Sequence, residues 1–182
     1  MTGWRGGLTY PFKLVLVLTA LTAAGLPSST AQSAPPEAAK ASGLPLPRFV
    51  SISATHANLR KGPGSQYAVA WILQRRNLPV EVIGEFEHWR KIREAGGETG
   101  WVHKSKLSGK RTGMAVSAGR SEEPVPGYKD PRKETPVLMV EPGAIGEIRA
   151  CREGWCDLRF KGGQAWMPRE SIWGVYPDEE FD

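Results

Sequence analysis

The sequence has few of the residues on which enzyme catalysis usually depends. Its 182 residues include three histidines, His56, His88 and His103, and two cysteines, Cys151 and Cys156. It contains no nucleophile-elbow, zinc-protease or phosphate-loop motif. A catalytic Cys–His pair would have to join distant parts of the chain, with the cysteine free. We therefore expect no enzyme activity, no cofactor and no metal site, and we expect the histidines to be polar residues at strand ends.

Carboxylates offer no better route to catalysis. Glu81, Glu85 and Glu87 fall on one predicted strand and its turn, whereas a glycoside hydrolase holds two carboxyl groups apart across a cleft. Small barrels seldom enclose a cleft large enough for a sugar. The sequence therefore does not favour cell-wall lysis by this chain.

A concentrated positive field is also missing. The 24 basic and 19 acidic residues give a net charge of +5, and the basic residues are scattered along the chain. Proteins that bind nucleic acids concentrate lysine and arginine on one face or along one helix. We therefore expect no nucleic-acid partner.

The apolar run near the start, Leu14–Leu26, is too short to span a bilayer comfortably. It has the length of a signal-peptide core, and the small residues Ser29 and Ala31 follow it at positions suited to cleavage. We predict a signal peptide over residues 1–31, cleaved after Ala31, and a periplasmic or secreted protein that meets the membrane only for export. Cleavage leaves 22 basic and 19 acidic residues, a net charge of +3. The alternative is an uncleaved membrane anchor.

Sustained helical periodicity is absent after residue 32. Residues 32–47 are rich in proline, alanine and serine, which predicts a disordered linker. From Phe49 onward, short segments alternate apolar and polar residues, as Val80 and Val82 do around Glu81, and turns recur at intervals of about 8–12 residues. This pattern predicts an all-β fold.

The chain contains an internal sequence repeat. The segments EHWRKIREAGGETGWVH (87–103) and EGWCDLRFKGGQAWMP (153–168) both read tryptophan, a polar pair, an aliphatic residue, arginine, a Gly-Gly turn and a second tryptophan. The repeat predicts two copies of one small β unit, over residues 48–110 and 113–177. The aligned pairs are Val82 with Ile148, Trp89 with Trp155, Ile92 with Leu158, Arg93 with Arg159, Trp101 with Trp166, and Leu107 with Ile172.

These segments carry a family resemblance. ANLRKGPG (57–64) followed by Tyr67, and Gly100–Trp101 followed by VHKSKL, resemble a bacterial SH3 domain of the periplasmic, SH3b-like kind. Residues 49–177 are similar to exported bacterial proteins with paired SH3-like domains, although the second copy starts less typically. The resemblance implies two partly open barrels in tandem, with five or six strands each. It also implies peptidoglycan binding or protein interaction, with no defined activity for this group.

The LRKGPG loop shapes the candidate site. Gly62 and Gly64 are expected to permit a tight reversal, Pro63 to fix φ between them, and Leu59 to point inward. The second copy lacks this Gly-Pro-Gly loop. The alternative is that the loop only joins two strands.

We predict a binding surface in the first copy formed by Asn58, Arg60, Tyr67 and Trp71. The arginine suits a carboxylate, and the aromatic rings offer flat contact area. Regular alternation would put Tyr67 and Trp71 on one face, which could instead be the core. We expect the four repeated tryptophans to lie in the core or at its edge.

The two cysteines flank a predicted hairpin turn. If Glu153–Gly154 is a two-residue turn, Cys151 faces Cys156 across the hairpin, within the range that a disulfide accepts. An oxidising compartment favours the bond. The alternatives are a redox pair, which more often opens a helix, and a metal site, which needs further ligands.

The sequence thus predicts an exported, non-catalytic protein with two SH3-like barrels. Its partner is expected to be cell-wall peptidoglycan or a periplasmic protein or peptide. The alternative function is structural, with the paired barrels recruiting an envelope protein.

Overall fold

The computed structural model describes residues 42–117, 123–132 and 135–182. The predicted signal peptide and residues 32–41 of the predicted linker lie outside the described residues. Within the described ranges the chain forms strands and two short 3₁₀ turns, with no α-helix. No helix in this part of the chain is long and apolar enough to cross a membrane. The all-β prediction is therefore confirmed.

The first barrel is a seven-stranded antiparallel sheet that curls into a partly open barrel, in the spatial order β3-β2-β6-β5-β4-β1-β7. A 3₁₀ turn, Lys104–Lys106, precedes its last strand. The strands are β1 (Arg48–Ile52), β2 (Ala57–Arg60), β3 (Val69–Leu73), β4 (Pro79–Phe86), β5 (Trp89–Arg93), β6 (Thr99–His103) and β7 (Leu107–Ser108).

The second barrel repeats this arrangement, in the order β10-β9-β13-β12-β11-β8-β14. A matching 3₁₀ turn, Arg169–Ser171, precedes its last strand. The strands are β8 (Thr112–Ala115), β9 (Val125–Tyr128), β10 (Pro136–Val140), β11 (Ile145–Arg152), β12 (Trp155–Phe160), β13 (Gly163–Pro168) and β14 (Ile172–Trp173). Each barrel has seven strands rather than the expected five or six, because two-residue strands, β7 and β14, extend each sheet at one edge.

Strand register confirms the repeat. Val82 pairs with Ile92 in the first barrel, and Ile148 pairs with Leu158 in the second. In both barrels the next pair follows after a register shift. The aligned residues therefore occupy equivalent sites of two copies of one fold.

Alternation along the strands builds a separate apolar core in each barrel. Every second residue of a strand turns inward, so that aliphatic side chains from facing strands meet. Leu59 is fully buried, as expected for the inward anchor. The first core contains Ile52, Ala57, Leu59, Val80, Val82, Ile92 and Val102. The second contains Ala115, Val125, Val140, Ile148, Cys151, Cys156, Leu158, Met167, Ile172 and Val175.

The two barrels contact each other through β1 and β4 on one side and through β14 and the segment after it on the other. The ring of Phe49 meets the rings of Trp173 and Tyr176 at centroid distances of 5.1 and 4.8 Å. The indole N–H of Trp173 donates to the carbonyl oxygen of Pro79 at 3.1 Å. Aromatic packing and a buried hydrogen bond therefore join the barrels.

A buried carboxylate lies at the centre of this contact. Glu81, 3% exposed, accepts a hydrogen bond from the Tyr176 hydroxyl at 3.0 Å. It also accepts from Arg93, at 2.9 Å from Nε and 2.5 Å from Nη2. Burial, followed by the hydrogen bond to Glu81 and its charge, raises the pKa of the Tyr176 hydroxyl, which therefore stays protonated as the donor.

Candidate binding surface

The structure resolves the choice between core and surface for the two predicted aromatic residues. Tyr67 is 42% exposed and Trp71 is 57% exposed. Trp71 lies on β3, the edge strand of the first sheet. The alternative in which the two rings form part of the core is therefore wrong.

The loop that precedes β3 holds Tyr67 against a glycine. A Cβ atom added to Gly62 would lie 2.4 Å from the Tyr67 ring, so any other residue there would have to displace the ring. Arg60 reaches over the same loop, and its Nη1 donates to the Tyr67 carbonyl oxygen at 2.6 Å. Neither Gly62 nor Gly64 has a positive φ. The expected reversal is present, with hydrogen bonds from Gly64 N–H to the Gly62 carbonyl oxygen and from Tyr67 N–H to the Gly64 carbonyl oxygen. It forms without a positive φ at either glycine, and the small size of Gly62 makes room for the Tyr67 ring.

The four predicted residues do not share one face. Trp71 lies opposite Leu59 in the β2–β3 register, and Asn58 lies opposite Ile72. Because neighbouring residues of a strand point to opposite faces, Asn58 and Trp71 are on different faces of this hairpin. Arg60 and Tyr67 contact each other in one part of the predicted surface, and Trp71 lies in a separate part of it.

A shallow groove accompanies Trp71. Its volume is about 260 Å³, and its lining is Leu59, Trp71, Ile72, Leu73, Glu94 and Glu98. Ile72 is 52% exposed and points to the opposite face from Trp71, so the edge strand presents apolar surface on both of its faces. Two carboxylates at the rim suit a ligand that combines an apolar group with a positive charge. Ile72, Leu73 and both glutamates were missed from sequence, although Ile72 and Leu73 directly follow Trp71 in it.

The two barrels differ in which strand supplies the side chain that fills the interior, and this difference accounts for the exposure of Trp71. The position of Leu59 in the first barrel corresponds to Gly127 in the second, since each directly precedes the residue that pairs with the equivalent tryptophan, Trp101 or Trp166. Gly100 leaves room for the Leu59 side chain, and a Cβ at Gly100 would lie 2.6 Å from it. In the second barrel Gly127 leaves room for Ala165, and Leu138 packs against the core there.

Trp71 occupies the position of Leu138, because it pairs with Leu59 as Leu138 pairs with Gly127. With Leu59 already filling the interior, no space remains for the indole, which lies at the surface. The second barrel has the reverse arrangement. The strand next to the edge has a glycine, Gly127, and the edge-strand residue, Leu138, points inward.

The four repeated tryptophans do not belong to either core. Trp89, Trp101, Trp155 and Trp166 are all half-buried and absent from both core clusters. They alternate with inward residues, so they lie on the outer faces of their sheets. Trp89 meets the His103 ring at 5.4 Å, and Arg152 lies 4.7 Å from the Trp166 ring centroid. The expectation of a position in the core or at its edge is corrected to a half-buried position on the outer face, beside side chains such as His103 and Arg152.

Three of the titratable side chains considered for catalysis, His103, Glu81 and Glu85, have structural partners. The His103 ring accepts a hydrogen bond from the backbone N–H of Ser105 and begins the 3₁₀ turn. Glu81 and Glu85 are buried in ion pairs with arginines. Within the described residues there is no group of three or more His, Cys, Asp or Glu side chains that could hold a metal ion.

The predicted cysteine hairpin is present. Glu153 and Gly154 both have positive φ, 50° and 78°, and form the two-residue turn. Cys151 pairs with Cys156 in the β11–β12 register, their Cα atoms are 4.1 Å apart, and a disulfide joins them. The backbone N–H and carbonyl of Cys151 bond to Phe181 on the other side. The thiols are therefore not free for redox chemistry or for a metal.

The first barrel holds an ion pair in the same place. Glu85 pairs with Arg90 in the β4–β5 register, where the second barrel has its cysteines. The Arg90 Nε atom lies 3.1 Å from Glu85, and Arg48 Nη2 lies 2.5 Å from it. Ser42 donates to the same carboxylate from its backbone N–H at 2.7 Å and its hydroxyl at 2.6 Å.

These contacts keep the carboxylate ionised. Burial opposes ionisation of Glu85, but the hydrogen bonds from Ser42 and Arg48 and the charge of Arg90 outweigh it and lower the pKa to about 2. Sequence reasoning missed this cluster. The repeat alignment could have indicated it, because aligning Trp89 with Trp155 also aligns Arg90 with the disulfide residue Cys156.

Two half-open barrels of seven strands, each with a 3₁₀ turn before its last strand, define a tandem SH3-like protein. A sequence profile of the bacterial SH3 domain matches residues 53–109 and 121–174, more than half of the chain. The chain therefore belongs to the bacterial SH3 domain family and contains two copies of the domain. Bacterial SH3 domains are binding modules.

Other comparisons are more distant. No curated protein matches the chain. The solved structures of NlpC1 and NlpC2 from Trichomonas vaginalis are similar to it at 14% and 13% identity, with TM-scores of 0.33 and 0.30. The alignments cover 77% and 74% of this chain and 49% and 51% of theirs. The chain thus spans about half the length of these proteins.

Proposed function

We propose that the protein is an exported, non-catalytic module that binds cell-envelope material, peptidoglycan or a short peptide, through the first barrel. The observation that carries this proposal is the exposure of Tyr67 and Trp71, at 42% and 57%. Folding gains little from large rings left in water, and such rings supply much of the energy of binding surfaces.

The surface around these rings favours a peptide. Trp71 and Ile72 offer apolar contact, and Glu94 and Glu98 at the groove suit a positively charged group. β3 also lies at the end of the strand order, so its outer edge can pair with an extended peptide backbone. Peptide stems of the cell wall combine amines, methyl groups and amide backbone, and they meet these requirements.

Paired substitution tests the site. The double variant Tyr67→Ala/Trp71→Ala should lose retention on purified peptidoglycan sacculi while its melting temperature stays unchanged. The matched control is Val137→Ala/Met139→Ala on β10, because these residues are 56% and 54% exposed on the edge strand of the second barrel. The control should be retained like the native protein.

Other results have distinct meanings. Equal retention of both double variants would show that the aromatic pair is not the site. A native protein that is not retained on sacculi at all would disprove the peptidoglycan ligand, and a set of short cationic peptides would then test the peptide ligand.

Export is the second part of the proposal. The charged start, the apolar run Leu14–Leu26 and the small residues before Gln32 support it, and a disulfide suits an oxidising compartment. N-terminal sequencing of the mature protein should begin at Gln32. A protein that keeps Met1 in the membrane fraction would contradict cleavage.

A structural role is the second candidate function. The contact between the barrels favours it, because the Phe49, Trp173 and Tyr176 rings hold the two copies together and a paired scaffold can recruit an envelope protein. Cross-linking in cells distinguishes the two functions. A stoichiometric protein partner whose capture survives Tyr67→Ala/Trp71→Ala would favour the scaffold over the binding module.

A further inference from the structure

A buried arginine in the second barrel has hydrogen-bond donors without partners. Arg169 begins the 3₁₀ turn between β13 and β14 and is 9% exposed. Its Nη1 donates to the Pro177 carbonyl oxygen. Its Nε and Nη2 atoms are buried and have no hydrogen-bond partner. Unpaired donors on a buried charge are unfavourable and call for an explanation.

Among the described residues, no anion forms a hydrogen bond with these two donors. Glu179 uses its carboxylate on the Arg111 guanidinium and on the backbone N–H of Tyr176. The hydrogen bond from Arg111 lowers the pKa of Glu179 despite burial, and the charge of Arg169 contributes less. Glu179 is thus ionised and already bound elsewhere.

Arg169 also lines a pocket. The pocket has a volume of about 350 Å³, and its lining is Gly154, Arg169, Glu170, Ile172, Val175 and Pro177. Its volume is sufficient for a small ligand. Ile172, Val175 and Pro177 give it apolar walls. Arg169 and Glu170 line the same space, so the buried cation and one acidic side chain border this apolar surface.

The equivalent end of the first barrel contains a carboxylate, which is bound to two arginines. The backbone N–H of Lys104 donates to His88, as that of Arg169 donates to Gly154, so the two 3₁₀ turns are equivalent. The pocket beside Lys104 is lined also by Arg48 and Arg90. There the chain supplies its own anion, Glu85, which binds both arginines.

The second barrel has Cys151 at the position of Glu85, as the strand register shows. The disulfide that replaces the ion pair removes the carboxylate, whereas a cation remains at the 3₁₀ turn. This end of the second barrel therefore has a positive charge without an internal carboxylate bound to it.

We propose that the Arg169 pocket binds a carboxylate attached to a small apolar group, as at the C-terminus of a peptide that ends in an aliphatic residue. The guanidinium donors bind the carboxylate, and Ile172, Val175 and Pro177 contact the aliphatic side chain. This site lies in the second barrel and is independent of the Tyr67–Trp71 surface.

The test uses the mature full chain and reads Arg169 directly. The Nε–Hε signal of Arg169 is followed by NMR during titration with N-acetylvaline, with its neutral analogue N-acetylvalinamide, and with butyrate. N-acetylvaline should shift the signal saturably, and the neutral amide should not. Stronger binding of N-acetylvaline than of butyrate would identify a peptide terminus as the source, and equal binding would identify a simple aliphatic acid.

Variants supply the second measurement. Arg169→Gln should weaken N-acetylvaline binding about tenfold or more, because a charge-assisted contact is lost. Arg149→Gln is the matched control, since Arg149 belongs to the same barrel and its side chain is 47% exposed. It should leave the affinity within about twofold, below the change expected from one hydrogen bond.

Three results would overturn the proposal. They are an unchanged Arg169 signal, an equal response to the acid and the amide, and equal weakening in both variants. Because the readout is at Arg169, failure here leaves retention on sacculi through the first barrel unaffected, and the two proposals fail separately.

Discussion

Equivalent hairpins of the two barrels are stabilised in different ways. In the first barrel Glu85 and Arg90 face each other across β4 and β5 as a buried ion pair. In the second barrel the equivalent residues, Cys151 and Cys156, form a disulfide. One fold thus accepts a charge pair or a covalent bond at one position, but each needs different support.

The ion pair needs additional partners, because a buried charge is stable only when its hydrogen bonds are satisfied. Ser42 and Arg48 supply them, so a segment before β1 is held against the hairpin. The disulfide needs no such donors. Phe181 instead pairs with the backbone of Cys151. In both barrels a segment outside the sheet covers the same strand end.

Removal of the buried charge is expected to have the largest effect. Glu85→Gln leaves Arg90 buried without its counter-ion and should lower the free energy of unfolding by about 3 kcal/mol or more. Glu147→Gln is the control, because Glu147 is an exposed partner of Lys110, and its loss should be below about 1 kcal/mol. Urea unfolding measures both. Similar losses would show that the buried pair contributes little.

Acid should produce part of the same effect without a substitution. The folded-state pKa of Glu85 is about 2, lowered from an ordinary value of 4.5. A lowered folded pKa contributes stability above pH 4.5, and this contribution is lost as the pH falls from 4.5 towards 2. Hydrogen exchange resolved by barrel should show the first barrel loosening over this range. Glu85→Gln should remove that pH dependence, and its persistence in the variant would assign it to other groups.

Loss of the disulfide should have a smaller effect, confined to the second barrel. Cys151→Ser/Cys156→Ser opens a short loop, and the chain-entropy model gives a loss of about 2 kcal/mol. Mass spectrometry without reductant should first find the two cysteines linked in native protein. Reductant should destabilise the native protein and leave the double variant unchanged. Two free thiols in protein taken directly from cells would contradict the bond.

Weakening the contact between barrels should have the smallest effect. Tyr176→Phe removes the hydroxyl that donates to Glu81 and should cost about 1–2 kcal/mol, because the acceptor is charged. Tyr67→Phe is the control on an exposed tyrosine and should be neutral. Differential scanning calorimetry should show the two barrels separating into two transitions in Tyr176→Phe. A single unchanged transition would mean that the ring packing and the Trp173–Pro79 hydrogen bond join them without the Tyr176 hydroxyl.

The fold could be predicted from the sequence because the patterns that determine it are local and occur in both copies of the repeat. The Glu153–Gly154 turn has the positive φ values that it requires, and it aligns Cys151 with Cys156. Alternation in β4 and β5 fixes which side chains face inward. These elements depend on neighbours in sequence, and the repeat supplies an internal check.

The exposure of Trp71 and the contact between the barrels could not be read in this way. Trp71 is at the surface because Leu59 fills the interior, a competition for volume between strands. The contact unites Phe49, Glu81 and Tyr176, which are far apart in sequence and lie outside the repeated segments. Alternation indicates that Glu81 faces away from Val80 and Val82, but it does not show what covers it.

The contacts between Ser42 and Glu85 determine how the first barrel responds to tension along the chain. Ser42 precedes β1, so a pull from the N-terminal side reaches its two hydrogen bonds to Glu85 before it reaches the β1–β4 ladder. Those bonds should break first, and the short segment 43–47 should then extend while the sheet stays intact. The two Ser42–Glu85 hydrogen bonds should therefore allow a small extension under load and re-form when the load is removed.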